Sequence, residues 1–92
     1  DFYSLGTGKA GRYFEPFIIE VNTSVKENPV LTSLEGEEFI YVLKGSVSVK
    51  YGIEEHILKE GDSMYYDSIV EHLITSADGN PAKLLAIVYS PL

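Results

Sequence analysis

The tightest constraint on the fold of this chain is the rhythm of its apolar residues, which fall in short runs that are each closed off by turn chemistry. Residues 14–21 (FEPFIIEV), 37–43 (EEFIYVL), 46–51 (SVSVKY), 54–58 (EEHIL), 63–66 (SMYY), 72–75 (HLIT) and 84–89 (LLAIVY) are rich in β-branched and aromatic side chains, the composition of strands. Between them stand NP at 28–29, KG at 44–45, YG at 51–52, EGD at 60–62 and DGNP at 78–81, all turn formers. No window keeps the i, i+3, i+4, i+7 apolar spacing long enough to predict a helix. Closely spaced strands without helices imply an all-β fold, an antiparallel sandwich or barrel. Ninety-two residues suffice for one such domain, expected to span 1–92 with 1–13 as a lead-in segment.

Several of the runs, FIYVL and LLAIVY above all, are apolar at successive positions and so present apolar side chains to both faces of a sheet. One face fills the barrel, and the other needs a cover, because large exposed apolar patches are uncommon on monomers. A homodimer is the simplest cover.

Charge narrows the partners. The formal net charge is −7, and the seven Lys and Arg residues stand singly at positions 9, 12, 26, 44, 50, 59 and 83. Contact with nucleic acid draws on clustered cations, so none is expected from this domain. No apolar run reaches the length of a membrane span and no signal-peptide pattern is present. The absence of cysteine removes disulfides and thiolate metal sites and fits a reducing compartment, so a cytoplasmic location is expected.

Two motifs bear on chemistry. GTGKAG, Gly6 to Gly11, has the glycine spacing of a dinucleotide fingerprint, but that mechanism needs a buried strand before the loop and a helix after it, and here a strand-like run follows. A connector is the better reading. The second is the pair LTSLEGEEFIYVLKGSVSV and LKEGDSMYYDSIVEHLITS, which resembles the two sequence motifs of the cupin superfamily, small jelly-roll (double-stranded β-helix) barrels. The first family motif runs His, any residue, His, three or four residues, Glu, six residues, Gly; laid on this chain it places Thr32 and Leu34 at the histidine positions, Glu38 at the glutamate and Gly45 at the glycine. The second gives Gly61, His72 and Ser76, with Asp67 where the family often has proline, Ile69 where it often has glycine and Ser76 where it has asparagine. The resemblance covers residues 30–92.

In members with the full set, the resemblance implies three imidazoles and a carboxylate around a divalent metal. Thr32, Leu34 and Glu38 share one strand parity, so the first motif faces a single interior point to which a second strand can bring His72. This chain keeps two of the four ligands, Glu38 and His72; leucine has no donor and threonine only a neutral hydroxyl. No cofactor is therefore expected, and any divalent metal would rest on Glu38 and His72. Two readings stand for that pair: satisfied polar residues at a turn and a barrel end, or polar contacts of a ligand pocket with Thr32, Leu34, Tyr66 and Ser76 around them. His56 lies outside both motifs. No nucleophile elbow or Ser/His/Asp pattern marks a covalent catalyst.

The segment YSLGTGKAGRYFEPFIIEV also looks like the lead-in strand of cupin domains that form the C-terminal sensor half of helix-turn-helix transcription regulators. That resemblance implies a non-enzymatic, dimeric domain binding a small molecule. The alternative is a cupin enzyme, either metal-dependent with a depleted site or a metal-free isomerase or epimerase using His72 as base and a tyrosine as acid.

Overall fold

The structure, a computed structural model, describes residues 14–22 and 36–89 together with the backbone of Phe2–Ser4. Its elements are strands: β1 (Phe2–Ser4), β2 (Phe14–Val21), β3 (Glu37–Lys44), β4 (Ser46–Tyr51), β5 (Glu54–Lys59), β6 (Ser63–Asp67), β7 (His72–Ser76) and β8 (Ala82–Tyr89). They form two sheets, one in the order β1-β2-β8-β3-β6 and one in the order β5-β4-β7, with every neighbouring pair antiparallel. This is the jelly-roll cupin barrel that the strand rhythm and the motif resemblance imply. The strand β1 is an addition to that expectation, since three residues are too few to carry a readable alternation. No helix among the described residues is long and apolar enough to cross a membrane.

Alternation builds the core. On β3, Glu38, Ile40 and Val42 point inward while Glu37, Phe39 and Tyr41 point out, and on β8 Ala82, Leu84 and Ala86 point inward. Ile40, Val42, Val47, Val49, Leu84 and Ala86 are wholly buried, and with Ile19, Val21, Leu58 and Ile74 they fill the space between the sheets. Removing such side chains from water supplies about 1.5–3 kcal/mol for each large aliphatic group, which is the main force holding the sheets together.

Short turns set the registers. β4 and β5 are joined by Gly52 and Ile53 alone; Gly52 takes φ +60° and Ile53 stays at negative φ, the pattern of a type II′ hairpin whose twist suits the flanking strands. Gly45 alone separates β3 from β4, at φ +82°, and a Cβ there would stand 2.9 Å from the carbonyl oxygen of Pro81. Glycine is required at this point both by the backbone angle and by the approach of the β7–β8 connection.

Candidate functional site

The site forms where the ends of four strands meet. The register pairs Glu38 on β3 with Tyr66 on β6, and Tyr51 on β4 with His72 on β7. Each pair sits on the inner face of its own sheet, and the barrel brings the two pairs together. The Tyr66 ring meets the His72 ring edge-on at a centroid distance of 5.0 Å and the Tyr51 ring at 5.2 Å. Tyr51 donates its hydroxyl to the Asp67 carbonyl at 3.2 Å, which ties it to the end of β6.

At the centre, His72 Nε2 lies 3.0 Å from Glu38 Oε1, and both side chains are 1% exposed. The other ring nitrogen, Nδ1, lies 2.8 Å from the Val70 carbonyl, an acceptor, so Nδ1 carries hydrogen and donates it. In a neutral ring that tautomer leaves a lone pair on Nε2 facing a carboxylate. Such a contact is repulsive unless a proton, on Nε2 or on the carboxyl oxygen, or a metal ion lies between the two atoms. The lysines of the described residues, at 44, 50, 59 and 83, are all exposed. The imidazole held by a backbone carbonyl through its far nitrogen is also the arrangement that orients metal-binding histidines.

At this point the two side chains offer one carboxylate and one imidazole as donors. No aligned hydrogen bond serves Glu38 Oε1. The described residues contain no group of three or more His, Cys, Asp or Glu side chains that could hold an ion. Glu38 and His72 are thus the described residues that would hold a divalent ion, and two donors do not make a closed structural site.

Tyr66 is buried, and its hydroxyl has no aligned hydrogen-bond partner. Burial first, and the neighbouring Glu38 carboxylate second, push its phenol well above the ordinary tyrosine range. It remains a neutral O–H, a donor beside a carboxylate and an imidazole. Ser68, two residues along, is likewise buried with its hydroxyl unpartnered, while its backbone N–H is bonded to the Gly36 carbonyl.

The other candidates from the sequence divide three ways. Thr32 and Leu34 lie outside the described residues, as does the glycine loop at 6–11. Ser76 sits four positions beyond His72 on β7, roughly 13 Å away along a strand. Its hydroxyl donates to the Asn80 carbonyl at 2.6 Å and accepts from the Gly79 N–H at 3.1 Å, so it organises the turn before β8 and does not join Glu38 and His72. His56 pairs with Glu54 at 3.0 Å on β5, with both side chains exposed and apart from the central pair. Tyr51 and Ser68 are the residues sequence reasoning missed. The signal for Tyr51 was its place at the end of a strand whose partner begins with His72, but that pairing is a tertiary fact. A groove of about 270 Å³ lined by Lys50, Gly52, Glu71, His72 and Leu73 lies close by, but Lys50 and Leu73 are cross-strand partners on the face opposite the His72 side chain, so it is a surface feature behind the pair.

Comparison with known proteins agrees with this geometry. Residues 29–88 match the Cupin_2 family, described as Cupin domain. The (S)-2-hydroxypropylphosphonic acid epoxidase of Streptomyces wedmorensis is 33% identical over 78 aligned residues, covering 78% of this chain and 39% of that enzyme. A crystal structure of FeII HppE in complex with substrate superposes with a TM-score of 0.80 at 30% identity, covering 96% of this chain and 52% of the other. The Schizosaccharomyces pombe Cnp3 cupin domain superposes equally well, TM-score 0.80, at 18% identity over 97% of this chain and 59% of its own, a likeness of fold alone. The chain spans about half the length, or less, of the epoxidase it resembles. The barrel topology, the glycine turns at 45 and 61, the inward Glu38 and His72 and the match over 29–88 lead to one conclusion: this chain belongs to the cupin superfamily.

Proposed function

We propose that this barrel is the reaction chamber of a cupin enzyme acting on a small oxygen-bearing molecule, with Glu38 and His72 at its centre and Tyr66 as a hydrogen-bond donor beside them. The observation that carries the reading is the buried 3.0 Å approach of a carboxylate and an imidazole whose far nitrogen is already committed to a backbone carbonyl. Such a pair needs a proton or a metal ion between its members, and a few convergent polar groups set among apolar side chains are the usual make-up of a ligand site. The likeness to an epoxidase crystallised with FeII supports the same direction. Glu38 and His72 would hold a divalent ion, which when bound supplies Lewis-acid polarisation and a template for a substrate oxygen. Tyr66, kept neutral by burial and by Glu38, would offer its O–H as a hydrogen bond to a substrate oxygen.

The test is anaerobic equilibrium dialysis against Fe(II) and Co(II). One ion per chain, lost in both Glu38→Gln and His72→Ala while circular dichroism stays native, is the expected result. No binding at millimolar ion would sink the metal-assisted form of the proposal.

A second reading is favoured by one specific observation: leucine and threonine occupy the two positions where the cupin motif has histidines, which leaves two donors. On that reading the domain is a non-catalytic binding module, the ligand-sensing part of a transcription regulator, and Glu38 and His72 anchor an effector. Thermal-shift screening against metabolites separates the two, since a ligand at a hundred times its dissociation constant raises stability by about 2.7 kcal/mol with no turnover.

A further inference from the structure

The carbonyl that commits the far nitrogen of His72 belongs to Val70, two residues earlier in the chain. Its place is set by the connection between β6 and β7, residues 68–71, which lies in neither strand. A loop carbonyl fixes a ring only as well as the loop itself is fixed. Whatever braces this connection therefore also sets the direction in which Nε2 points at Glu38.

Among the described residues, four hydrogen bonds brace it. The Ser68 N–H donates to the Gly36 carbonyl at 3.1 Å, and the Gly52 N–H donates to the Glu71 carbonyl at 2.9 Å. The Val70 N–H closes a turn onto the Asp67 carbonyl at 3.4 Å, the longest of the four, so the turn leans on its neighbours. The Tyr51 hydroxyl donates to that same Asp67 carbonyl at 3.2 Å. Three of these bonds are made by backbone groups, and the Tyr51 hydroxyl is the one side chain in the set. Tyr51 also stands directly across the sheet from His72, and its ring meets Tyr66 edge-on, which in turn meets the His72 ring. The end of β4 thus touches the connection on both flanks, at Asp67 through Tyr51 and at Glu71 through Gly52, with the Val70 carbonyl between them.

We propose that Tyr51 is a positioning residue for His72: its hydroxyl holds the turn at 67–71 so that the Val70 carbonyl keeps Nδ1–H engaged and Nε2 directed at Glu38. The proposal rests on the reading above that Glu38 and His72 work as a pair, whether the pair holds an ion or an effector. A ring held in this way is already in the tautomer and orientation that a ligand on Nε2 requires. A ring released from its carbonyl divides between two tautomers and several angles, and the apparent affinity falls by the fraction that remains competent. Loss of an outer partner of a metal-binding histidine costs about 10–100-fold in affinity, and Tyr51, acting through a turn, belongs at the low end of that range.

Nuclear magnetic resonance of the metal-free full chain, labelled with 15N-histidine and held at one pH, tests this. The chain has two histidines, and His56, whose side chain is 42% exposed, serves as the internal reference. In the native protein the His72 Nδ1–H is expected as a single hydrogen-bonded signal in slow exchange with water. Tyr51→Phe, which keeps the ring and removes the hydroxyl, should speed that exchange at least tenfold while the backbone amides of Val47 and Val49 in the adjoining core keep their native rates. Co(II) affinity, measured by equilibrium dialysis on the same samples, should fall about tenfold. Native Nδ1–H exchange in Tyr51→Phe, or a change matched by the Val47 and Val49 amides, overturns the positioning role. A native chain that binds no Co(II) sinks the metal-assisted form of the functional reading, while the exchange measurement still decides the role of Tyr51.

Discussion

Glu38 and His72 are worth more as a pair than either is alone. Each is almost wholly removed from water, and each depends on the other for compensation at the far side of its hydrogen-bonding capacity. Deleting one member of a buried ion pair strands the other in a low-dielectric interior and typically costs about 3–5 kcal/mol, whereas replacing both by apolar groups of similar size is often neutral. We therefore expect Glu38→Leu and His72→Leu each to lower stability by about 3–5 kcal/mol, and the double variant to lose far less than the sum. Urea unfolding of the four proteins in the cycle measures the coupling. Strict additivity would mean that the two groups do not interact, and would remove the physical basis of the site. Tyr66 adds a second consequence of burial at this scale, for its hydroxyl remains a donor under conditions in which an exposed phenol would already be an anion.

At the scale of strands and turns, the sequence carried the interior more clearly than the edges. β3, β4 and β8 were legible because their inward positions are aliphatic and their ends carry glycine or turn pairs. The meeting of Glu38 and His72 was implied by the motif resemblance, while the parity argument ran through Thr32 and Leu34, which lie outside the described residues. What could not be read was partnership across strands. Tyr51 reaches the site because β4 pairs with β7, and Ser76 leaves it because its hydroxyl satisfies the turn before β8; both facts are set by tertiary pairing, which local composition does not encode. β1 went unread because three residues have no period. Gly45 shows the opposite case, a motif residue whose reason is visible only in three dimensions. Gly45→Ala should cost about 2–4 kcal/mol, from the left-handed backbone and the collision with Pro81, while Gly61→Ala, at φ +91° with open space around it, should cost about 1 kcal/mol. Thermal melts of the two variants give the comparison, and equal losses would mean that backbone angle alone accounts for both glycines.

The whole molecule is assembled from distant partners. Phe14 pairs with Tyr89 and Glu37 with the same residue, so the sheet that holds the apolar outer face closes only when β2, early in the chain, meets β8, the last strand of the described residues. Loop closure on that scale must precede the contacts that reward it, and folds dominated by such pairings refold in milliseconds to seconds. Stopped-flow refolding followed by tyrosine fluorescence should give a rate in that range, and a microsecond phase carrying the full amplitude would show that closure is not limiting. The same architecture leaves β5 at the rim of the smaller sheet, paired among the described residues only with β4. Among the described residues no strand pairs with its other side, and an open strand edge is a row of backbone donors and acceptors onto which an extended peptide could zip. Glu54, Glu55 and Lys59 line that strand, and Ile57 is the one apolar residue among them that water reaches freely. The rim is thereby marked as a boundary: its charges keep a chain that is built by strand pairing from continuing to pair with its neighbours in a crowded solution.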